Sequence, residues 1–162
     1  MAQKYEKCIL HPILLPTIVG TVESKNVIKD DMHYQKTQEF FKKINVAILG
    51  IGSIMGDIPD SALYRNGYIT EQELRLLQSE GAVGVVLSNF IDANGNPVKS
   101  SITDRIISMT LNEVKKVPHS ILVANGQNKV IPVLAALKAK YINVLITDSD
   151  TARSILKAAQ KL

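Results

Sequence analysis

Residues 121–157 read ILVANGQNKVIPVLAALKAKYINVLITDSDTARSILK, and this stretch decides the fold. Two short apolar runs, residues 121–124 and 142–146, are separated by a longer segment whose apolar residues recur at helical spacing. A second amphipathic segment follows the second run. The order strand, helix, strand, helix is typical of a parallel unit in which helices cover buried strands.

Three more apolar runs, residues 8–15, 46–51 and 83–90, precede this unit and alternate with amphipathic segments. Asp30-Asp31 can cap a helix that runs to Ile44, and Thr70 with Glu73 forms a capping box for another helix. Residues 92–97, DANGNP, predict a turn that returns the third run through a short hairpin. We therefore expect an α/β fold with a mainly parallel sheet of at least four of these strands and helices on both faces.

Composition places the chain among ordinary globular proteins. Its 162 residues are 46% hydrophobic and 21% charged, which fits one domain over residues 1–162. The net charge is +4, but lysines and arginines are scattered among acids instead of forming a basic stripe. We expect a surface that tolerates anionic ligands and no direct DNA binding by this chain alone.

The cysteine and histidine pattern argues against metal and redox sites. Cys8 is the only cysteine, so neither an internal disulfide nor a CxxC pair can form. His11, His33 and His119 stand in no metal-binding spacing, and no cofactor motif appears, so we predict neither metal nor cofactor. No apolar stretch approaches the ~20 residues of a membrane span. These features favour a cytoplasmic protein without a membrane partner.

The loop after residues 46–49 is the first candidate ligand site. Gly50, Gly52 and Ser53 stand at the carboxyl end of a predicted strand, where ligands collect in parallel sheets. The pattern lacks the third glycine of a dinucleotide fingerprint. A bland tight turn is as good an interpretation as a ligand loop.

A second candidate is the strand-to-helix junction that contains Gly126 and Lys129. Backbone N–H groups and an ammonium in a first helical turn can face one anion. A solvated lysine is the alternative. Two aspartates at strand ends are weaker candidates: Asp92 is more readily a turn former than a ligand group, and Asp148 more readily a helix cap.

Three segments together resemble the effector-binding domain of SorC-type bacterial transcription regulators, a group related to DeoR-type repressors. They are VAILGIGSI, NGYITEQELRLLQSEGAVGVVLSNFIDANGNPV and VPHSILVANGQNKVIPVLAALKAKYINVLITDSDTARSILK. The resemblance implies a sugar-phosphate-isomerase-like α/β fold that binds a phosphorylated sugar or polyol, forms homo-oligomers and controls an attached DNA-binding domain. It carries Asp92, Gly126 and Lys129 over as candidate ligand residues, and it places the Gly50 loop at the border of the effector site.

The chain departs from the family pattern in three ways. Members place a helix-turn-helix domain and a first β-α-β portion ahead of these segments, so we expect residues 1–162 to be a partial, truncated effector domain. Val85 stands where members usually carry an acidic residue, and Asn125 precedes Gly126 where members carry a glycine pair. The loss of the acid at Val85 is expected to weaken or change ligand specificity.

The leading hypothesis is therefore a non-catalytic, sugar-phosphate-binding regulatory domain. The same fold type hosts sugar-phosphate isomerases and deaminases, so an enzyme is the alternative. No clustered acid and base residues appear at the strand ends, which argues against catalysis. A ligand-free structural or dimerising fragment is the third possibility.

Overall fold

Strands and helices alternate along most of the chain. The structure is a computed structural model that describes residues 9–56 and 61–160. In chain order the elements are α1 (Val22–Asp30), α2 (Met32–Phe41), β1 (Val46–Leu49), β2 (Gly52–Ser53), α3 (Ala62–Arg65), α4 (Glu71–Ser79), β3 (Ala82–Val86), β4 (Asn89–Asp92), α5 (Leu111–Val114), β5 (His119–Val123), α6 (Val130–Lys138), β6 (Val144–Ile146) and α7 (Ser149–Ala159).

A three-stranded parallel sheet forms as predicted, in the order β1-β5-β6. Ile48 lies opposite Ile121, which in turn lies opposite Val144. The predicted α/β class is confirmed, although this sheet holds three of the five predicted runs rather than four. The β5-α6-β6 unit that opened the sequence argument is the centre of the fold.

The first predicted strand, residues 8–15, is wrong over the residues that the structure describes. Residues 9–15 form no strand, and Cys8 lies outside the described residues. Pro12 and Pro16 explain the difference, since proline cannot donate a hydrogen bond to a neighbouring strand. Only Ile18 makes an isolated antiparallel bridge, to Ile106.

The predicted single strand over residues 83–90 is two strands. β3 ends at Val86, Leu87 and Ser88 turn the chain, and β4 returns antiparallel to β3. With β2 they form a second sheet in the order β2-β3-β4. Residues 92–97 also turn, and Pro97 bridges back to Ile91, so the predicted hairpin is present there as one isolated bridge.

The core is divided between the two sheets. Leu49 and Leu122 on one face of the parallel sheet pack with Val133 of α6 and Ile155 of α7. A second cluster fills the space between the antiparallel sheet and α4, whose capping box at Thr70 is formed as predicted. Each cluster buries β-branched and aliphatic side chains, which provide most of the folding free energy.

The other face of the parallel sheet is apolar and exposed, so the prediction of helices on both faces is confirmed for one face only. Strand alternation places five β-branched residues on it, and each of these residues is 41 to 75% exposed. They are Val46, Ile48, Val123, Val144 and Ile146. We call these five residues the open sheet face.

Candidate functional site

A cavity of about 310 Å³ opens beside the carboxyl end of β1. The loop after β1, the start of α3, the tip of the β3-β4 hairpin and the residue before α6 form its wall. The described residues that line it are Gly50, Ile51, Gly52, Ser61, Ala62, Leu63, Arg65, Val85, Leu87, Ser88 and Lys129. We call it the Arg65–Lys129 cavity.

Two cations face this cavity, and none of its described lining residues is acidic. Arg65 ends the short helix α3, while Lys129 lies half-buried immediately before α6. Each of them also interacts with another group of the chain. Two positive charges around one concave space raise the local concentration of anions, so the cavity is suited to an anionic ligand.

Ser61 contributes a buried hydroxyl to the same wall. The residue is fully buried, and its Oγ atom has no hydrogen-bond partner among the described residues. An unpaired buried hydroxyl costs about 1 to 3 kcal/mol. A ligand that donates to or accepts from Ser61 would recover that free energy.

The hairpin tip brings strained backbone to the cavity. Leu87 and Ser88 have φ values of 47° and 64°, in the region that favours glycine or asparagine. The side-chain amide of Asn89 supports this turn by donating to the carbonyl oxygens of Leu87 and Met109, both at 2.9 Å. Strain of this kind is often kept at binding sites.

The structure brings together three of the seven predicted site residues. Gly50 and Gly52 line the Arg65–Lys129 cavity, and Lys129 faces them. Ser53 lies next in the chain, but it is buried in β2 and its Oγ accepts from the Met55 amide at 3.3 Å. The two glycines therefore let a ligand in the cavity come close to the main chain. The Ser53 hydroxyl instead forms a hydrogen bond within its own loop.

The N–H of Gly126 does not face the cavity, although the sequence predicted it as an anion-binding group. Its φ of 103° allows the sharp turn before α6, but its N–H donates to Oγ1 of Thr151 at 2.8 Å. That amide therefore binds α7 instead of pointing at the cavity. Thr151 is held in turn by Asp148, whose carboxylate caps α7. The hydrogen bond from the Thr151 amide is the main reason that the pKa of Asp148 lies below its ordinary value.

Asp92 lies away from this cavity, at the other end of β4. Burial disfavours its charged form, but hydrogen bonds from Asn96, Asn94 and Gly95 outweigh burial and hold its pKa below the ordinary value. Asp92 and Asp148 therefore act as the turn former and the helix cap, their alternative interpretations. Neither is among the described residues that line the cavity.

Arg65, Ser61 and Ser88 were not predicted from the sequence. Arg65 ends a four-residue helix that is too short to show periodicity, and Ser61 immediately precedes that helix. Ser88 lies inside an apolar run that looks like one strand. The one available signal was position, because residues 61–65 follow the Gly50 loop at the same sheet edge.

Comparison with known proteins decides the family. The family model described as "Putative sugar-binding domain" matches residues 1–157. The chain belongs to this sugar-binding domain family. The predicted resemblance to SorC-type regulators is confirmed by the Sorbitol operon regulator of Klebsiella pneumoniae, which is 30% identical over 142 residues, 88% of this chain and 44% of that protein.

Relatives of this sugar-binding domain are bacterial transcription regulators. The Deoxyribonucleoside regulator of Bacillus subtilis is 37% identical over 142 residues, which are 88% of this chain and 44% of that protein. A DeoR family transcriptional regulator from Listeria monocytogenes superposes with a TM-score of 0.82 at 28% identity, covering 88% of this chain and 56% of the other. The full-length sorbitol operon regulator SorC of Klebsiella pneumoniae gives 0.77 at 27% identity, covering 87% and 44%.

The sugar-binding domain spans about half the length of the curated relatives it matches. Within residues 9–56 and 61–160, no three histidine, cysteine, aspartate or glutamate side chains are grouped so that they could hold a metal ion. No helix in the same described part is long and apolar enough to cross a membrane.

Proposed function

We propose that this chain is a non-catalytic effector domain that binds a phosphorylated sugar or polyol in the Arg65–Lys129 cavity and acts in the cytoplasm. The observation that carries the proposal is the pairing of two cations with an unpartnered buried hydroxyl around one concave space. A sugar phosphate presents both kinds of group that this wall can bind, a dianionic phosphate and neutral hydroxyls.

The ligand's orientation follows from the chemistry of the wall. Arg65 and Lys129 attract the phosphate, since guanidinium and ammonium groups make charge-assisted hydrogen bonds to its oxygens. The hydroxyls of Ser61 and Ser88 then bind the sugar's hydroxyls. Val85 presents an apolar surface at this point, which favours contact with carbon-bound hydrogens over a buried carboxylate contact.

A binding role is better supported than catalysis. An isomerase or deaminase needs a base to take a proton from a sugar carbon, and usually an acid beside the oxygen. The described lining contains no aspartate, glutamate, histidine, cysteine or tyrosine side chain. The relatives are regulators, which points the same way.

We propose further that this chain does not bind DNA on its own. Lysines and arginines are scattered among acids and form no basic stripe along the sequence, and a basic stripe is the pattern that nucleic-acid binding needs. Control of DNA binding would then belong to a complete regulator, in which ligand occupancy is transmitted from this domain.

The open sheet face supports a homo-oligomer. Five neighbouring aliphatic residues on one sheet face form a patch that monomers rarely expose, and identical copies can pack such faces about a twofold axis. The groove beside β1 extends this apolar surface through Phe41 and Ile44 toward residues 13–15. We propose that a second copy of the chain covers the open sheet face.

Calorimetric titration tests the effector proposal. The panel contains hexose and pentose phosphates, each beside its unphosphorylated sugar, and 2-deoxyribose 5-phosphate is included because the Bacillus subtilis relative is named for deoxyribonucleosides. We expect at least one phosphate to bind and its sugar partner to bind more weakly. Binding of a sugar with no preference for phosphate would overturn the anion assignment, and binding of no member would favour the structural fragment.

A further inference from the structure

A second cavity, of about 270 Å³, is lined by three lysines. Lys25 and Lys29 come from α1, while Lys99 comes from the segment after β4. We call it the Lys25–Lys99 cavity. Among the described residues, it shares no lining residue with the Arg65–Lys129 cavity, so the two cavities are separate binding spaces.

The positive charges of Lys25 and Lys29 repel each other. Lys25 and Lys29 are one helical turn apart, a spacing at which like charges repel. Burial and then the charge of Lys29 lower the pKa of Lys25, and the carboxylate of Asp104 offsets part of this. The Lys25 ammonium donates to the main-chain oxygen of Asp104 at 3.0 Å, which fixes it at the cavity edge.

The acidic groups around the cavity lie outside its described lining. Glu113 accepts hydrogen bonds from the amide and hydroxyl of Thr110 in the capping box of α5. Glu73 pairs with Arg105. None of these acids, nor Asp104, is among the described lining residues, so the wall of the cavity carries three positive charges and no negative one.

Hydroxyl groups complete the wall. Ser108 and Tyr34 line the cavity, and Tyr34 is half-buried. Burial and the charge of Glu113 raise the pKa of the Tyr34 phenol, so it stays a neutral hydrogen-bond donor at neutral pH. Three ammonium groups and two hydroxyls are donors that an oxyanion with several charges can satisfy together.

We propose that the Lys25–Lys99 cavity is a second binding site, for a small anion with several charges carried on phosphate or carboxylate groups. Its volume of about 270 Å³ lies just below the usual range for ligand pockets, about 300 to 1,000 Å³, which favours one compact anion over a sugar with a long chain. The proposal does not depend on what the Arg65–Lys129 cavity binds.

Calorimetry with pyrophosphate and with citrate tests the proposal and distinguishes the two anion chemistries. The full chain carrying Arg65→Ala and Lys129→Ala serves as the background, so that binding in the first cavity does not contribute. Into it we introduce Lys29→Gln with Lys99→Gln, or, as the control with the same loss of charge, Lys116→Gln with Lys157→Gln. Lys116 and Lys157 are exposed and outside both cavities.

The expected result is one bound anion whose Kd rises by at least about tenfold in the Lys29/Lys99 variant and by less than about twofold in the control. Amide resonances near Lys99 and Thr103 should shift during the titration, and this shift should vanish in the same variant. Equal weakening in both variants would mean that net charge alone attracts the anion, and no binding of either anion at millimolar concentration would equally overturn the site. Unchanged thermal unfolding of the variants confirms that they fold.

Discussion

The hydroxyl of Tyr141 donates a hydrogen bond of 2.6 Å to the main-chain oxygen of Gly95, joining the start of the last β-α unit to the turn after β4. Tyr141 is 2% exposed. Tyr141→Phe should therefore lower the free energy of unfolding by about 1 to 2 kcal/mol, because the Gly95 oxygen loses its partner. Chemical denaturation measures the change.

A substitution at Gly95 tests the packing of the turn after β4 against α6. Its φ is 82°, and a Cβ atom there would lie 2.4 Å from the main-chain oxygen of Ala135 in α6. Gly95→Ala should cost about 2 to 4 kcal/mol, from strain and overpacking together. Gly67→Ala is the control, since Gly67 has a φ of 73° with nothing near its Cβ position. Equal losses at both positions would show that contact with α6 has no effect.

Acid should weaken the turn at Asp92. Its carboxylate accepts from the amides of Asn94 and Asn96 at 2.9 and 2.8 Å, and these bonds keep its folded pKa below the unfolded value of about 3.9. The resulting stability is fully present above the unfolded pKa and is lost as pH falls through the folded pKa. Melting temperature should fall more steeply between about pH 5 and pH 3 in the native chain than in Asp92→Asn. Parallel curves would contradict this assignment.

The hairpin tip combines strain with a position in the candidate site. Replacing Leu87 and Ser88 by Asn and Gly, the residues preferred where both φ values are positive, should raise stability by about 1 to 2 kcal/mol per relieved position. Sugar-phosphate binding should weaken in the same variant, since both side chains line the Arg65–Lys129 cavity. Ser88→Ala separates the effects because it removes the hydroxyl and keeps the strain. A variant that gains stability and loses no binding would exclude these side chains from the site.

Much of the parallel unit could be predicted, because strands buried between helices show as apolar runs with helical segments between them. The same rule failed at residues 83–90, where Leu87 and Ser88 form the turn and the only turn signal is a serine followed by an asparagine within the apolar run. Apolar patterning also gave no indication of α1, because this helix buries none of its residues and has no strong apolar periodicity. Local sequence predicts an element well only where packing and propensity agree.

The candidate site was predictable in part for a similar reason. Gly50, Gly52 and Lys129 stand at strand ends, and topology alone brings strand ends together. Arg65 and Ser61 reach the cavity because residues between the strands fold back over it, which depends on tertiary packing. Asp92 was misleading, since an aspartate before Asn and Gly suits a turn whether or not a ligand is near.

Charge on the open sheet face should abolish self-association. Ile48 and Ile146 are 75% and 54% exposed on this face, so Ile48→Lys with Ile146→Lys should leave the fold intact while adding two repelling charges to each copy. Sedimentation velocity should show a dimer or larger species for the native chain and a monomer for the variant. Leu156→Lys, on α7 and 65% exposed, is the control and should keep the native assembly. A native chain that stays monomeric at high concentration would contradict the proposal.

Lys129→Ala should weaken sugar-phosphate binding by about 1 to 3 kcal/mol, the range for hydrogen bonds to charged groups, or about 5- to 150-fold in Kd. Lys138→Ala is the matched control, because it removes the same charge from the last turn of α6, at the far end from the Arg65–Lys129 cavity. Calorimetry on both variants should show the loss for Lys129 only.

Arg65, the second cation of the cavity, allows a test of whether the loss of binding in the Lys129 variant concerns the phosphate group. If Arg65 and Lys129 bind the same phosphate group, the double variant should lose less free energy than the sum of the two single losses, since the second substitution acts on a phosphate already poorly held. The unphosphorylated sugar lacks that group, so its weak binding should change little in any of the three variants. Ser61→Ala should instead weaken sugar and sugar phosphate by the same factor, if its hydroxyl binds the sugar as we propose. Strict additivity of the Arg65 and Lys129 losses would place the two cations on different parts of the ligand.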